Sequence, residues 1–163
     1  MNSLRIKIYP KNKAHFVKLM SFTKKIARIC IELRIYPIIY GSLAYLIYTV
    51  DNKVKINDID FLISESSFPK LIKALKKKKI KHTYHEKWHT LIIKKGKLRI
   101  EFDSINFWQR SLPKSFNNLD FNGLKVRVVS LNTLKKIYRK ASKISQDNPH
   151  RNLLKFNELK KLK

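Results

Sequence analysis

Only 11 of the 163 residues are acidic, and four of the 11 form two spaced pairs, Asp58 with Asp60 and Glu101 with Asp103. Each pair sits in alternating apolar text, Asp58-Ile59-Asp60-Phe61 and Ile100-Glu101-Phe102-Asp103. Such alternation predicts a strand, in which residues i and i+2 share a face roughly 7 Å apart. Each pair then presents two carboxylates on one side and its apolar neighbours on the other. If the two strands are neighbours, up to four carboxylates converge, and like charges side by side repel. A divalent cation removes that cost. Mg²⁺ takes carboxylate oxygens and is commonly held by one or two carboxylates together with substrate phosphates. The plain alternative is that these acids pair with some of the 37 Lys and Arg. Two same-face pairs inside apolar alternation weigh against it.

Glycine is scarcer still, present only at 41, 96 and 123. Gly96 and Gly123 fall at apparent hairpin turns. Gly41-Ser42 instead forms a tight turn between an apolar strand, residues 38–40, and a helix over 43–49. A helix N-terminus after such a turn leaves backbone N–H groups pointing outward, which suits a phosphate.

The remaining elements must position these groups. Residues 4–9 read as a short strand closed by Pro10. Residues 12–34 have helical periodicity, with Val17, Met20, Ile26, Ala27, Cys30 and Leu33 on one stripe and Pro37 barring continuation. Residues 59–63 alternate as a strand. Ser66 or Ser67 caps a helix with Pro69 in its first turn, carrying Leu71, Ile72 and Leu75 and then four lysines, 76–79. Residues 90–94 and 98–102 form a hairpin around Gly96, and Asn122-Gly123 turns into a strand over 124–129. Ser130 caps a helix with Leu134, Ile137 and Ala141 on one face, and Asn148-Pro149 opens a last helix with Leu153, Leu154, Phe156 and Leu159. The order predicts an α/β (α+β) fold, a small mixed sheet flanked by helices. Residues 1–129 would be the domain that carries the spaced carboxylates and 130–163 a basic helical segment packed on it.

The charge needs a cause. With 37 Lys and Arg against 11 acids the formal net charge is +26. Codon bias explains abundant Lys, Asn and Ile but not a count of five glutamates. A charge of this size favours an anionic partner, nucleic acid first and an anionic membrane surface second. A solvated basic face is the bland alternative. Apolar residues make up 44%, so this is not a disordered basic tail. A lone Cys30 excludes a disulfide scaffold and any multi-thiolate zinc site. The longest uncharged run, 35–50, is too short to span a membrane and is broken by Pro37, Gly41 and Ser42. No long amphipathic Lys/Trp helix stands out, so no membrane partner is expected, and cytoplasm is the default compartment.

The texts IIYGSLAYLIY and NDIDFLIS, followed by a carboxylate on a later strand, resemble the nucleotidyltransferase superfamily with its polymerase-beta-like fold. The nearest look is to small prokaryotic members: minimal, lincosamide-type and toxin nucleotidyltransferases. The resemblance covers roughly 12–110 and extends more weakly over 124–160. It implies that Asp58 and Asp60 ligate catalytic Mg²⁺, in a two-metal site, with Glu101 as the third acid and Asp103 as its runner-up. It implies that Gly41 and Ser42 bind the triphosphate of ATP or another nucleoside triphosphate. Arg139 and Lys140 match loosely the basic residues that contact phosphates in such enzymes. The acceptor it suggests is RNA, tRNA foremost, with an antitoxin protein as partner if the chain is of the toxin kind. A protein, an antibiotic-like hydroxyl compound, or no transfer at all in an inactive nucleic-acid binder are the alternatives. One departure is the spacing: 15 residues separate Ser42 from Asp58, slightly more than usual.

A competing motif is His85-Glu86-Lys87-Trp88-His89, which spells H-E-x-x-H. Zinc chemistry there needs a helix that puts both histidines on one face. Thr83, Tyr84, Trp88, Thr90, Leu91 and Ile92 favour strand instead, which would set His85 and His89 roughly 13 Å apart. His82, His85 and His89 read as solvated strand residues. Tyr84, Trp88 and Trp108 read as packing or as base-stacking groups. The lysines at 76–79 read as a solvated helix end or as part of a phosphate-tracking surface.

Overall fold

The computed structural model describes residues 5–6, 9–108, 116–121, 124–144 and 148–162. The first helix, α1 (Lys13–Glu32), buries Phe16, Leu19, Met20, Ile26, Ala27 and Cys30. Val17 is 52% exposed, off the apolar stripe, because it lies a quarter-turn from the line running through Phe16, Met20 and Thr23. The helix ends with Arg34 in the left-handed region (φ 57°), and Ile35 N–H bonds back to Cys30 O at 2.8 Å. This is the bond pattern that satisfies the last carbonyls of a helix, and Pro37 lies just beyond.

Strand β2 (Ile38–Tyr40) follows, buried along its whole length. The next helix, α2 (Gly41–Thr49), begins at Gly41 itself, so Gly41 and Ser42 are its first residues and not a separate turn. Leu43 to Ile47 are all buried, because α2 lies between β2 and β3 (Asp58–Ile63) on one side and the two C-terminal helices on the other. A helix enclosed all round has no use for a polar face.

Among the described residues eight strands form one sheet. The others are β1 (Arg5–Ile6), β4 (His82–His85), β5 (Thr90–Lys95), β6 (Leu98–Ser104), β7 (Phe116–Phe121) and β8 (Leu124–Val129). The order is β1-β7-β8-β2-β3-β6-β5-β4. β2 lies antiparallel to β3 and parallel to β8, and β3 lies parallel to β6. Of the strand expected over 4–9, Arg5 and Ile6 pair with β7. One sheet face carries Ile59, Phe61, Leu91, Ile93, Ile100 and Phe102, all buried. Phe61 and Phe102 stack with centroids 5.1 Å apart. Each such ring contributes about 1.5–3 kcal/mol by burial. The opposite face carries the spaced carboxylates.

Helix α3 (Phe68–Lys77) is entered through a 3₁₀ turn, Glu65–Ser67, and has no side-chain cap bond. Ser66 and Ser67 lie in that turn, where Ser64 Oγ engages both, so the expected serine cap is absent. The β5–β6 hairpin closes around Gly96 (φ 58°). The Asn122-Gly123 turn lies outside the described residues, although its flanking strands pair antiparallel. A short helix, α4 (Ile105–Trp108), follows β6. Ser130 Oγ accepts Thr133 N–H at 3.3 Å and caps α5 (Leu131–Ile144), which buries Leu134, Ile137, Tyr138 and Ala141. The last helix, α6 (Pro149–Lys160), packs on α5 and α2 and buries Leu159. Leu153 and Leu154 are 44% and 51% exposed, so the apolar face of α6 is narrower than its composition suggests. No described helix is long and apolar enough to cross a membrane.

Candidate active site

The parallel pairing of β3 with β6 sets Asp60 opposite Glu101 and Asp58 opposite Arg99. One carboxylate oxygen from each of Asp58, Asp60 and Glu101 lies within 4.8 Å of the other two. An octahedral Mg²⁺ holds oxygens at about 2.1 Å, so opposite ligands stand about 4.2 Å apart. The donor set and its spacing therefore fit such a cation. Burial pushes Asp60 well above the usual carboxylate range, and the charges of Asp58, Glu101 and Asp103 push it further, against the opposing pull of Lys155. Glu101 is raised mainly by burial, opposed by its ion pair with Arg99. A bound cation would relieve this repulsion.

Asp103 shares the face but is not among the three clustered acids. It sits opposite Leu62, and the hydroxyls of Tyr40 and Thr90 both donate to its carboxylate. Burial raises its pKa while these two bonds oppose the rise.

Gly41 closes the site from behind. Its φ is +66°, and a Cβ there would stand 2.9 Å from Asp60 Cγ. Beside it, Lys155 Nζ donates to Ser42 Oγ at 3.0 Å and to Tyr138 Oη at 3.2 Å. The ammonium also lies 5.2 Å from the Tyr45 ring centroid and 5.1 Å from that of Tyr138. Burial lowers Lys155 to about 8, aided by Arg151 and opposed by Asp60 and Asp58. A cavity of about 280 Å³ opens here, with Gly41, Ser42 and Asp60 on one side and Tyr138, Arg151 and Lys155 on the other. That is near the lower end of small-molecule sites, roughly 300–1,000 Å³.

Arg139 and Lys140 are exposed on α5, while Ile137, Tyr138 and Ala141 are the residues of that helix lining the cavity. The basic groups at the cavity are Arg151 and Lys155 on α6, which the sequence reading did not single out. A signal was present: Asn152, Lys155, Phe156 and Leu159 recur at helical spacing, so Lys155 lies on the inward stripe with Leu159.

The H-E-x-x-H text does not form a helix. His85 ends β4, Glu86–Trp88 is a 3₁₀ turn, and His89 has φ 47°. The expected continuous strand is broken at this point. His89 Nδ1 contacts Glu65, which also accepts from Ser104 Oγ, and His82 Nδ1 bonds the Ile80 carbonyl at 2.7 Å. Tyr84 packs on Phe68, while Trp88 is 53% exposed with Lys87 Nζ 5.3 Å from its ring centroid. The Trp108 side chain lies outside the described residues. Lys76 to Lys79 are exposed at and just past the end of α3.

No family model and no curated protein matches the sequence. Solved structures do. The antibiotic-resistance factor ANT(2″)-Ia, in complex with adenylyl-2″-tobramycin, superposes with a TM-score of 0.63 at 14% identity, over 88% of this chain and 87% of that one. The lincomycin-bound lincosamide adenylyltransferase LnuA matches at 0.56 and 13%, over 87% and 96%. A candidate nucleotidyltransferase of Thermotoga maritima matches at 0.59 and 19%, over 86% and 94%. At these identities the likeness establishes the fold, the polymerase-beta-like nucleotidyltransferase fold with C-terminal helices.

Proposed function

We propose that the protein is a metal-dependent nucleotidyltransferase that moves a nucleoside monophosphate from a nucleoside triphosphate to a hydroxyl of RNA. The observation that carries this reading is the convergence of Asp58, Asp60 and Glu101 oxygens within 4.8 Å, directly beside the N-terminus of α2. In the reaction, the acceptor hydroxyl oxygen bonds to the α-phosphorus as the bond to the pyrophosphate oxygen breaks, and the hydroxyl proton passes to solvent water. Mg²⁺ held by the three acids would neutralise phosphate oxygens and ease loss of the hydroxyl proton. The backbone N–H groups opening α2 and the Ser42 hydroxyl would take the triphosphate, and Arg151 and Lys155 would balance its charge. Asp103, fixed by Tyr40 and Thr90, would brace β2, β5 and β6 beside the site. ATP is the first nucleotide to test, and the cytoplasm is the compartment that suits both substrates.

The net charge of +26 supports a polyanionic acceptor. In a toxin-like enzyme, a basic surface of this kind would also suit an acidic antitoxin. A second reading, transfer to an antibiotic-like hydroxyl compound, is favoured by the likeness in fold to ANT(2″)-Ia and LnuA over most of each chain.

The test is to incubate the protein with each labelled nucleoside triphosphate, Mg²⁺ and total cellular RNA, with tobramycin and lincomycin in parallel reactions. Label in RNA that vanishes with Asp58→Ala supports the reading. Label only in the small compounds moves it to the second one. Absence of both label transfer and pyrophosphate release overturns it.

A further inference from the structure

A second cavity, of about 230 Å³, lies at the opposite end of β2 from Gly41. The α1–β2 connection supplies Arg34 and Tyr36, the segment after β3 supplies Ser64 and Ser67, and β7 and β8 supply Phe116 and Arg127. Arg127 pairs with Ile38 across β2, and Asp60 pairs with Tyr40, so both point from the same sheet face. Two strand widths and two residues separate them, roughly 12 Å between α-carbons. A short stretch of single-stranded RNA spans that distance.

The chemistry of the cavity is specific. The Arg127 guanidinium lies 4.8 Å from the Tyr36 ring centroid and 4.6 Å from that of Phe116. A guanidinium against aromatic rings has five N–H donors, more than the rings can occupy. Among the described residues neither Arg127 nor Arg34 forms an ion pair or a side-chain hydrogen bond. Among the described residues, then, two guanidinium groups share one hollow without a counter-charge. Ser64 and Ser67, their hydroxyls 2.7 Å apart, add neutral donors at the wall. Tyr36 remains 55% exposed, so much of its ring is open to a further planar group. Packing alone accounts for Arg127 between two rings. It leaves the donors of the exposed Arg34 and the open side of Tyr36 available to a ligand.

Resting on the RNA-acceptor reading above, we infer that this cavity holds the single-stranded acceptor segment of an RNA, with a phosphate on Arg34 and Arg127 and a base on the open side of Tyr36. Guanidinium pairs match phosphate oxygens in a bidentate way, and aromatic rings accept any base. A cationic aminoglycoside would be repelled by the same pair of charges.

The test measures binding, not catalysis. Anisotropy of a short labelled single-stranded RNA is followed on the full chain without metal or nucleotide, across a salt series. Arg34→Gln with Arg127→Gln should weaken binding about 10–100-fold and flatten the log–log salt slope by about 1.4, the value for two phosphate contacts. Tyr36→Ala should cost about tenfold, with Tyr36→Trp restoring it. Lys76→Gln with Lys77→Gln removes the same charge from the exposed end of α3 and should change affinity less than threefold, by about the bulk-charge effect alone. Arg34→Gln alone, at an exposed position, should carry half the slope change and guards against misfolding of the double variant. Equal losses in the two double variants, or an unchanged Tyr36→Ala, overturn the site. Wild-type RNA binding lost with these variants, in a protein that releases no pyrophosphate, supports the site and overturns only the transferase reading.

Discussion

Gly41 backs directly onto the carboxylate of Asp60: a β-carbon on Gly41 would stand 2.9 Å from Asp60 Cγ and closer still to Oδ2. The same residue has φ +66°, a region that costs other L-residues about 1–2 kcal/mol. Two independent demands therefore meet at one position, a left-handed backbone and a close approach of helix to acid. Gly41→Ala should lose about 1–2 kcal/mol in urea unfolding from the backbone alone. It should also displace Asp60, and a displacement near 1 Å in such a site lowers turnover about 100-fold. Pyrophosphate release measured beside unfolding separates the two effects. An alanine variant with wild-type turnover would remove Gly41 from the site.

Glu101 and Asp103 share a face but should answer differently to mutation. Glu101 belongs to the three-acid cluster, whereas the Asp103 carboxylate is taken up by the Tyr40 and Thr90 hydroxyls. Glu101→Gln should abolish tight Mg²⁺ or Mn²⁺ binding by calorimetry. Asp103→Asn should weaken metal affinity or activity by only about 10–100-fold, the usual effect of a supporting group, and Tyr40→Phe should resemble it. The reverse ranking would make Asp103 the third ligand.

Much of this was legible because period-two alternation identifies a strand and its faces at once. Asp58, Asp60, Glu101 and Asp103 fell on predicted strands, and the structure sets those strands side by side. What alternation cannot give is register, and register is what separates Glu101 from Asp103. Helix α6 was less legible. Its leucines at 153 and 154 drew attention to the wrong face, while its one deeply placed cation, Lys155, looked like any other lysine in a chain with 37 Lys and Arg. The break at Glu86–Trp88 was hidden because strand-forming residues flank it on both sides. The left-handed backbone of His89, which closes that break, belongs to a residue type with no strong turn signature.

The carboxylate cluster ties stability to pH and to metal. Asp60 is raised by burial and by its acidic neighbours, and Glu101 and Asp103 are raised chiefly by burial. Where a folded-state pKa exceeds the unfolded one, the native state binds the extra proton, so stability falls as pH rises between the two values. From the unfolded value of about 3.9 upward, metal-free protein should therefore lose stability through these groups until the raised values are passed. Asp60→Asn should flatten that loss and raise the neutral-pH Tm of metal-free protein, by roughly 2–4 °C per kcal/mol relieved. Added Mg²⁺ should raise the wild-type Tm and leave Asp60→Asn nearly unmoved. A wild type whose Tm ignores both pH and Mg²⁺ would contradict the cluster as a metal site.

Lys155 gives the sharpest pH signature, because burial lowers it to about 8 while Ser42 and Tyr138 fix its position. At neutral pH it is mostly charged and can face a triphosphate. Above about 8 the free protein loses that charge, so kcat/KM for the nucleotide should fall across this range. Lys155→Arg keeps the charge throughout and should abolish this limb of the profile. Lys155→Met should raise KM about 10–150-fold, the worth of a hydrogen bond to a charged group. Stability should move the opposite way. Between about 8 and the ordinary lysine value of 10.5 the unfolded chain binds more protons, so the wild type gains stability with rising pH and the methionine variant does not. The two profiles crossing in opposite senses would identify one group, placed by α6, as the source of both.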